Sequence, residues 1–473
     1  MLLFALAVFA GSQSCRPCHA KIADAYAQTP MARSSGKVKA NSIPKAEFTA
    51  GGHRYRIDGG TLFFADSSVP LDYYIGSNAL GRSFIFEREG FLYELPVTWY
   101  SRKNMWAASP GYEREPEVRL DRPVDRTCLA CHASRLRPVL GTQNRYGDPP
   151  FLEGGVACER CHGPGSEHVK NPAAAKMVNP AKLAPEARDS VCTQCHLTGA
   201  TRIEHAGRRF AEFRAGDKLG DLVTYFVWSS GAEDPRLTSH VERLAASRCK
   251  RESSGKLWCG TCHSPHTNAN RTQSACVECH AQAHHKQESC TACHMPQLHA
   301  SDIAHGSVTD HSIPRVPGQN RGAPAPRELI PFLGTPDARS LGLSYAEFGD
   351  PRARQYLERA EPRDVEVLLR MATLERDPLR AAALYEAVLR VDPARPAALV
   401  NLGVLYANAG HRDEAARLWK RALRANPNLE GPALNLSRII PPAEAQQVLE
   451  RYLSFNPGSA AARKRLEELK LLP

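Results

Sequence analysis

Three hydrophobic rhythms divide the chain. Between Ala46 and Tyr112, aromatic and β-branched residues alternate with polar ones, as in HRYRIDGGTLFF and RSFIFEREGFLYELPVTWY, and the alternation breaks at Asp58-Gly59-Gly60 and Glu89-Gly90. A period of two interrupted by Gly-containing turns predicts two hairpins of a small antiparallel sheet. Beyond residue 336 the period is helical. The segment VDPARPAALVNLGVLYANAGHRDEAARLWKRALRANP repeats an Asp/Asn-Pro ending at Pro393 and Pro427, a spacing of 34 residues. That is the period of a helix-turn-helix solenoid. Leu402-Gly403, Tyr406, Gly410, Ala415, Ala422 and Pro427 occupy the positions where tetratricopeptide repeats place small and aromatic residues. Residues 362–393 fit the same frame through Ala381 and Tyr385, a shortened third unit ends at Pro457, and Ala460 to Leu472 predicts a capping helix. From Cys128 to about His311 neither rhythm persists. Gly, Pro and Cys-His pairs dominate, so something other than aliphatic side chains must fill that core.

Two shorter segments complete the division. An Ala-rich stretch from Ala20 to Ala32 predicts a helix, and the Pro-rich residues 312–335 read as an extended linker of polyproline character. The domain reading is therefore an export-like segment at 1–10 and a Cys-His-rich region at 11–311 with a β-rich insertion at 46–112. The linker at 312–335 and an all-α tetratricopeptide-type domain at 336–473 follow.

The 473 residues contain 15 cysteines, of which 14 form seven C-x-x-C pairs and only Cys249 is left over. Histidine follows every pair at once: Cys15-Cys18-His19, Cys128-Cys131-His132, Cys158-Cys161-His162, Cys192-Cys195-His196, Cys259-Cys262-His263, Cys276-Cys279-His280 and Cys290-Cys293-His294. At the chain's own histidine frequency, the chance of filling all seven positions is on the order of 10⁻¹⁰. The spacing is that of c-type haem attachment. Two intervening residues let both sulfurs reach the two vinyl groups of one porphyrin, and the adjacent histidine falls under the iron. Zinc ribbons would need an even number of pairs, and disulfides would have no use for the histidines. Seven covalently attached haem c groups are predicted, with Cys249 most simply a small buried thiol and alternatively a thiolate near a haem or a redox-active group.

Haem changes the reading of charge. Sixty-one Lys and Arg against 50 Asp and Glu leave a formal +11. That excess alone would favour an acidic partner. Each haem brings about −1 when ferric and about −2 when ferrous, so seven shift the balance to about +4 or −3. The basic excess then largely neutralises propionates, and no nucleic-acid partner is expected. No apolar run after residue 10 approaches the roughly 20 residues of a membrane span. Leu2 to Ala10 is apolar, and Val8 and Ala10 are small enough for a V-x-A cleavage site, which reads as an export signal. Covalent haem attachment follows export, so the motifs agree with a periplasmic or cell-surface location.

Outside the motifs stand eleven histidines, one of them His411 in the repeats, together with Met31, Met105, Met177 and Met295. These suffice to saturate seven irons. The phrases CERCHGPGSEHV, VCTQCHLTG, CGTCHSPH and CTACHMP, with ELPVTWY, SPGYER and VTDH around them, resemble the multihaem cytochromes c related to hydroxylamine oxidoreductase and its tetrahaem electron-accepting partner. The branch with C-terminal tetratricopeptide repeats is the most similar. The resemblance implies a fold of short helices with a small antiparallel β subdomain. It also implies that His168, His240, His266, one of His284 and His285, His305 and His311 serve as distal iron ligands. Where more distant members carry a histidine after the first helix, this chain has Met31, which implies a His/Met first haem of higher potential. His53, His205 and His299 are expected to be surface or hydrogen-bonding residues.

The last three motifs begin only 17 and 14 residues apart, too close for a protein layer between their porphyrins. The expectation is an exported heptahaem cytochrome c that moves electrons along closely spaced haems between redox partner proteins, with the repeats docking a partner. Catalysis is not required by any motif. One alternative is an oxidoreductase of the hydroxylamine or nitrogen-oxide type with one five-coordinate haem. Another is a subunit of a surface assembly, a homo-oligomer or a filament.

Overall fold

The computed structural model describes residues 9–229, 235–280, 289–316 and 328–471. His284 and His285 lie outside the described residues, as does most of the export-like segment. The chain forms two compact units, one of residues 1–34 with 153–347 and one of residues 35–152 with 348–473. No helix among the described residues is long and apolar enough to cross a membrane.

In the second unit the alternating segment builds two antiparallel sheets. Strands Ala46–Ala50, His53–Asp58, Thr61–Phe64 and Ser67–Pro70 form a four-stranded meander in chain order. Ser35–Lys37, Tyr73–Ile75, Arg82–Arg88, Phe91–Tyr100 and Met105–Ala108 form a five-stranded sheet, also in chain order. Both turns expected from the sequence are present. Gly59 and Gly60 have φ of 56° and 75°, and Glu89 and Gly90 have 54° and 83°. Two successive positive φ values give the hairpin turn whose twist matches right-twisted strands.

The repeats follow as Val365–Leu374, Pro378–Val391, Pro396–Asn408, Arg412–Ala425, Glu430–Leu436, Pro442–Phe455 and the capping helix Ala460–Lys470. Ala415 and Ala422 are fully buried, and a Cβ on Gly403 would run into the Trp419 indole. That indole donates from Nε1 to the Val400 carbonyl at 3.2 Å, so it cannot simply swing away. Gly403→Ala is expected to destabilise this unit. Overpacking costs about 1–3 kcal/mol, against at most about 1 kcal/mol gained in helix propensity. A lower midpoint in the far-ultraviolet circular dichroism melt checks it.

Sheet and repeats share one core. Phe455, at the end of a repeat helix and fully buried, packs among Ile57, Leu62, Phe86 and Leu95. Its ring meets Phe91 and Tyr93 edge-on, with centroids 6.0 and 6.1 Å apart. The repeat-ending asparagines bond to the strand region. Tyr93 Oη donates to Asn426 Oδ1 at 2.7 Å, Leu120 N–H donates to Asn456 Oδ1 at 3.2 Å, and Asn428 Nδ2 donates to the Leu120 carbonyl at 2.7 Å. The packing thus groups residues 46–112 with the repeats, whereas the sequence division places them within the Cys-His-rich region.

The first unit carries most of the Cys-His motifs on short helices. Arg16–Tyr26 holds the first motif. The sequence expectation extended a helix to Ala32, but the chain leaves the helix ahead of Pro30, whose ring disfavours helical conformation in the preceding residue. A three-stranded antiparallel sheet joins Thr201–Glu204, Val223–Trp228 and Leu329–Leu333, in that order. Leu329–Leu333 falls in the segment read as a linker. Its apolar residues pair with Val223–Trp228, and its place at the sheet edge accommodates Pro331, which has no N–H to donate. Ala338–Glu347 also sits in this unit, with Arg339 donating to the Glu204 carbonyl.

Candidate haem sites

The first motif opens the helix Arg16–Tyr26, with Cys15 at its N-cap, and each other described motif winds as a single helical turn or ends a longer helix. The helices are Arg126–His132, Cys158–His162, Pro185–His196, Cys259–Cys262, Thr272–Cys279 and Cys290–His294, besides the first. Residues i and i+3 of a helix share a face, so the two thiols of each motif emerge together and the histidine follows beside them. Asp125 starts one of these turns by accepting from Thr127 N–H at 2.8 Å and Cys128 N–H at 3.3 Å. The motif of Cys128, Cys131 and His132 belongs to the second unit and the other six to the first. None of the 15 cysteines is in a disulfide, and most are half-buried.

The histidines sort by their hydrogen bonds. Nδ1 of His162 contacts the Val178 carbonyl at 2.7 Å, that of His168 the Ala175 carbonyl at 2.7 Å, and that of His263 the Asn270 Oδ1 at 2.9 Å. Nδ1 of His294 contacts the Pro314 carbonyl at 2.8 Å and that of His311 the Thr309 carbonyl at 2.9 Å. A carbonyl oxygen only accepts, so Nδ1 carries the proton and Nε2 keeps its lone pair, the tautomer that binds a metal through Nε2. His53 and His205 differ. Nε2 of His53 bonds the Glu115 carbonyl at 2.9 Å, and both ring nitrogens of His205 are engaged, with Asp221 O at 3.2 Å and Thr224 Oγ1 at 2.9 Å.

Motif histidines face the second set in pairs. His19 stacks with His168 at a centroid distance of 6.4 Å, His162 with His266 at 5.8 Å, and His263 with His311 at 6.1 Å. His196 meets His240 edge-on at 5.3 Å. Two metal–imidazole bonds of about 2.0–2.1 Å, plus about 1.1 Å from each nitrogen to its ring centre, place axial rings about 6.3 Å apart. Three pairs lie within half an ångström of that span. His240 also touches His311, at 4.8 Å and 79°. Burial holds His196, His240, His266 and His311 below the usual imidazole range, His240 to about 3, with neighbouring histidines adding to the effect on all four. All four are neutral at pH 7, as iron ligands must be.

The remaining sequence-derived residues are less gathered. Met31 has its carbonyl bound by Val156 N–H at 2.9 Å, while the ring opposite His19 is that of His168. His305 is exposed, in a positive-φ conformation of 60°. His280 is exposed at the end of Thr272–Cys279. Cys249 is half-buried and close enough to Cys276 to raise its pKa, after the larger effects of burial, Cys290 and Cys262.

Thiols of different motifs also meet. Hydrogen-bond contacts join Cys15 to Cys158, Cys192 to Cys259 and Cys276 to Cys290, while Cys161 acts electrostatically on Cys192 and Cys262 on Cys276. In the first unit the attachment sites therefore run in the order first, third, fourth, fifth, sixth, seventh.

Haem suits these residues. The helices of the first, fifth and seventh motifs bury none of their own side chains, so an apolar group held by their cysteines would supply the missing core. Arg160, between the cysteines of the third motif, has Nε and Nη2 buried without a hydrogen-bond partner. A porphyrin propionate is the acceptor such a guanidinium fits. Among the described residues, no three His, Cys, Asp or Glu side chains converge as a metal cage, whereas haem iron needs only two protein ligands. Arg160 and the buried pair Arg243–Asp310 were not singled out from sequence. Only the position of Arg160 inside a motif could have drawn attention to it.

Comparison with known proteins agrees with both halves. Residues 100–163, which contain two of the motifs, match the family described as cytochrome c554 and c-prime. Residues 372–436 match the tetratricopeptide repeat. No curated protein matches. Among solved structures, the outer cell wall cytochrome OcwA is 14% identical, with 88% of this chain and 99% of that one covered and a TM-score of 0.46. MamA is 14% identical over 28% of this chain and 80% of its own, and a mutant of MamA is 24% identical over 28% and 75%, both with a TM-score of 0.21. The matched segments join a cytochrome c segment, a type that binds haem covalently, to tetratricopeptide repeats in one chain.

Proposed function

We propose that this chain is an exported heptahaem electron carrier in which the irons of the first, third, fourth and fifth haems are closed on both faces. The histidine pairing is the observation that carries the reading. A second imidazole facing each of His19, His162, His196 and His263 leaves no position for substrate at those four irons. In this reading His168, His266, His240 and His311 are the distal ligands of the first, third, fourth and fifth haems. His168 thereby takes the role that Met31 has in the family-based reading. The second, sixth and seventh haems draw on His305 and on His284 or His285. When bound, each haem supplies an iron that cycles between ferric and ferrous states.

The chain's own part is positioning. Carbonyl-bound Nδ1 atoms fix ring orientation and raise ligand basicity. Adjacent thiols from successive motifs bring six attachment sites into one row, which supports conduction rather than chemistry at an isolated centre. Buried neutral imidazoles on both faces favour low-spin irons that change little on reduction. The repeats add a protein-binding surface, since such solenoids expose a concave face. Redox partner proteins at the periplasm or cell surface are the expected donors and acceptors.

Carbon monoxide tests the reading. The reduced holoprotein is expected to show no Soret change under carbon monoxide at the four paired haems and no high-spin ferric signal attributable to them. A stoichiometric carbon monoxide complex together with a high-spin ferric signal at one of those four haems would favour the oxidoreductase alternative.

A further inference from the structure

The residues just after the V-x-A sequence end on a buried carboxylate. Glu159, the second residue of the third motif, is 3% exposed. Its Oε1 accepts from Ala10 N–H at 2.8 Å and Gly165 N–H at 2.7 Å, and its Oε2 accepts from Gly11 N–H at 2.9 Å in buried surroundings. Among the described residues no Lys, Arg or His side chain forms an ion pair with it. The flanking contacts are of the same kind. Ser12 N–H lies 3.1 Å from both oxygens of Glu153, and Ser12 Oγ accepts from Cys158 N–H at 3.2 Å. Four residues on, the Cys15 thiol touches that of Cys158.

A buried carboxylate served only by neutral amides lacks the cation that would offset its desolvation. The atom 2.9 Å from Oε2 is the one that gains a positive charge if the chain is cut between Ala10 and Gly11. Hydrolysis adds one water across that peptide bond. The released segment leaves with the Ala10 carboxylate, and Gly11 N becomes an amine that is protonated at neutral pH. Two amide donors, Ala10 N–H leaving with the released segment and Gly11 N–H converted, are replaced by one ammonium with three.

We propose that export processing after Ala10 creates an N-terminal ammonium at Gly11 that is captured by Glu159 as a buried ion pair, fastening the first haem motif to the third. The inference rests on the export reading above and adds to it a structural role for the new terminus. The unprocessed chain has no charge at this atom, so the fastening is complete only in the mature protein.

The test is mass-spectrometric mapping of the N-terminus of the holoprotein from the exported fraction, followed by amine labelling. Gly11 is expected as the first residue. Cleavage at any other bond overturns the proposal while leaving export intact, and an uncleaved chain overturns both. In the folded holoprotein at neutral pH, an amine-reactive ester is expected to label Gly11 at least tenfold more slowly than in Glu159→Gln, with lysine labelling unchanged between the two. Equal rates overturn the ion pair. If Glu159→Gln does not accumulate, the pH dependence of labelling in the wild type decides. A Gly11 amine titrating above the ordinary range of about 7.7–8.0 supports capture by the carboxylate, and one at or below it refutes capture.

Discussion

Replacing His168 by alanine is expected to convert one haem from low spin to high spin and open it to carbon monoxide, with no loss of covalently bound haem. Attachment depends on Cys15 and Cys18, and the proximal ligand is His19, all untouched by the substitution. In the proposed pairing His168 supplies only the opposite face, its ring 6.4 Å from that of His19 and oriented by the Ala175 carbonyl at 2.7 Å. Alanine has no donor atom to replace Nε2, so the sixth position of that one iron is left to water or an added ligand. Haem content by the pyridine haemochrome assay should equal that of the wild type. One high-spin ferric signal and one equivalent of bound carbon monoxide should appear. Met31→Leu should change neither. If Met31→Leu opens the haem and His168→Ala does not, the first haem is His/Met and the assignment made here is reversed.

The contrast between those two variants shows what the sequence could and could not reveal. Covalent attachment is local chemistry. Cys, Cys and His within five residues carry the whole signal, so the seven motifs are legible without a fold. The tetratricopeptide frame was legible for the same reason, since Gly403 and Trp419 make contact within one repeat. The identity of a distal ligand is not local. His19 meets His168, His162 meets His266 and His263 meets His311 across long stretches of chain, and no spacing rule encodes such encounters. Family resemblance offered His168 as a distal ligand without saying for which iron, and its packing against His19 is what the proposed pairing rests on. Edge pairing was hidden in the same way. Leu329–Leu333 has the prolines of a linker around it and becomes a strand because Val223–Trp228 offers a free edge. Phe455 looks like the last apolar position of a repeat helix and turns out to complete the core of a sheet.

Asp310→Asn is expected to loosen two haems at once. Arg243 reaches Asp310 Oδ1 with Nη2 at 2.8 Å and Nε at 3.0 Å, and the side chains are only 20% and 9% exposed. The pair joins the two elements that carry neighbouring distal histidines. Arg243 lies one turn beyond His240 in the helix His240–Ala246, and Asp310 immediately precedes His311. Their rings are in contact at 4.8 Å, so movement of one is felt by the other. Asparagine keeps an oxygen for Ser312 N–H, which Asp310 Oδ1 now accepts at 2.8 Å, but leaves the guanidinium buried without its counter-charge. Removing one partner of a buried pair typically costs about 3–5 kcal/mol. The variant should therefore melt earlier and bind carbon monoxide at the His196/His240 and His263/His311 haems together, while His168→Ala affects a single haem. Arg243→Lys should fall between, since an ammonium keeps the charge and loses the forked geometry. Acid gives an independent check. Burial raises the Asp310 pKa, but the Ser312 hydrogen bonds and Arg243 outweigh it and hold the carboxyl below its ordinary range. A depressed carboxylate contributes stability that is present above the unfolded pKa and is lost as pH falls through the folded one. The difference in melting temperature between wild type and Asp310→Asn should thus be full at neutral pH and shrink in acid, where both side chains are neutral; a difference unchanged by acid would mean that the charge of Asp310 is not what holds the two histidines in place.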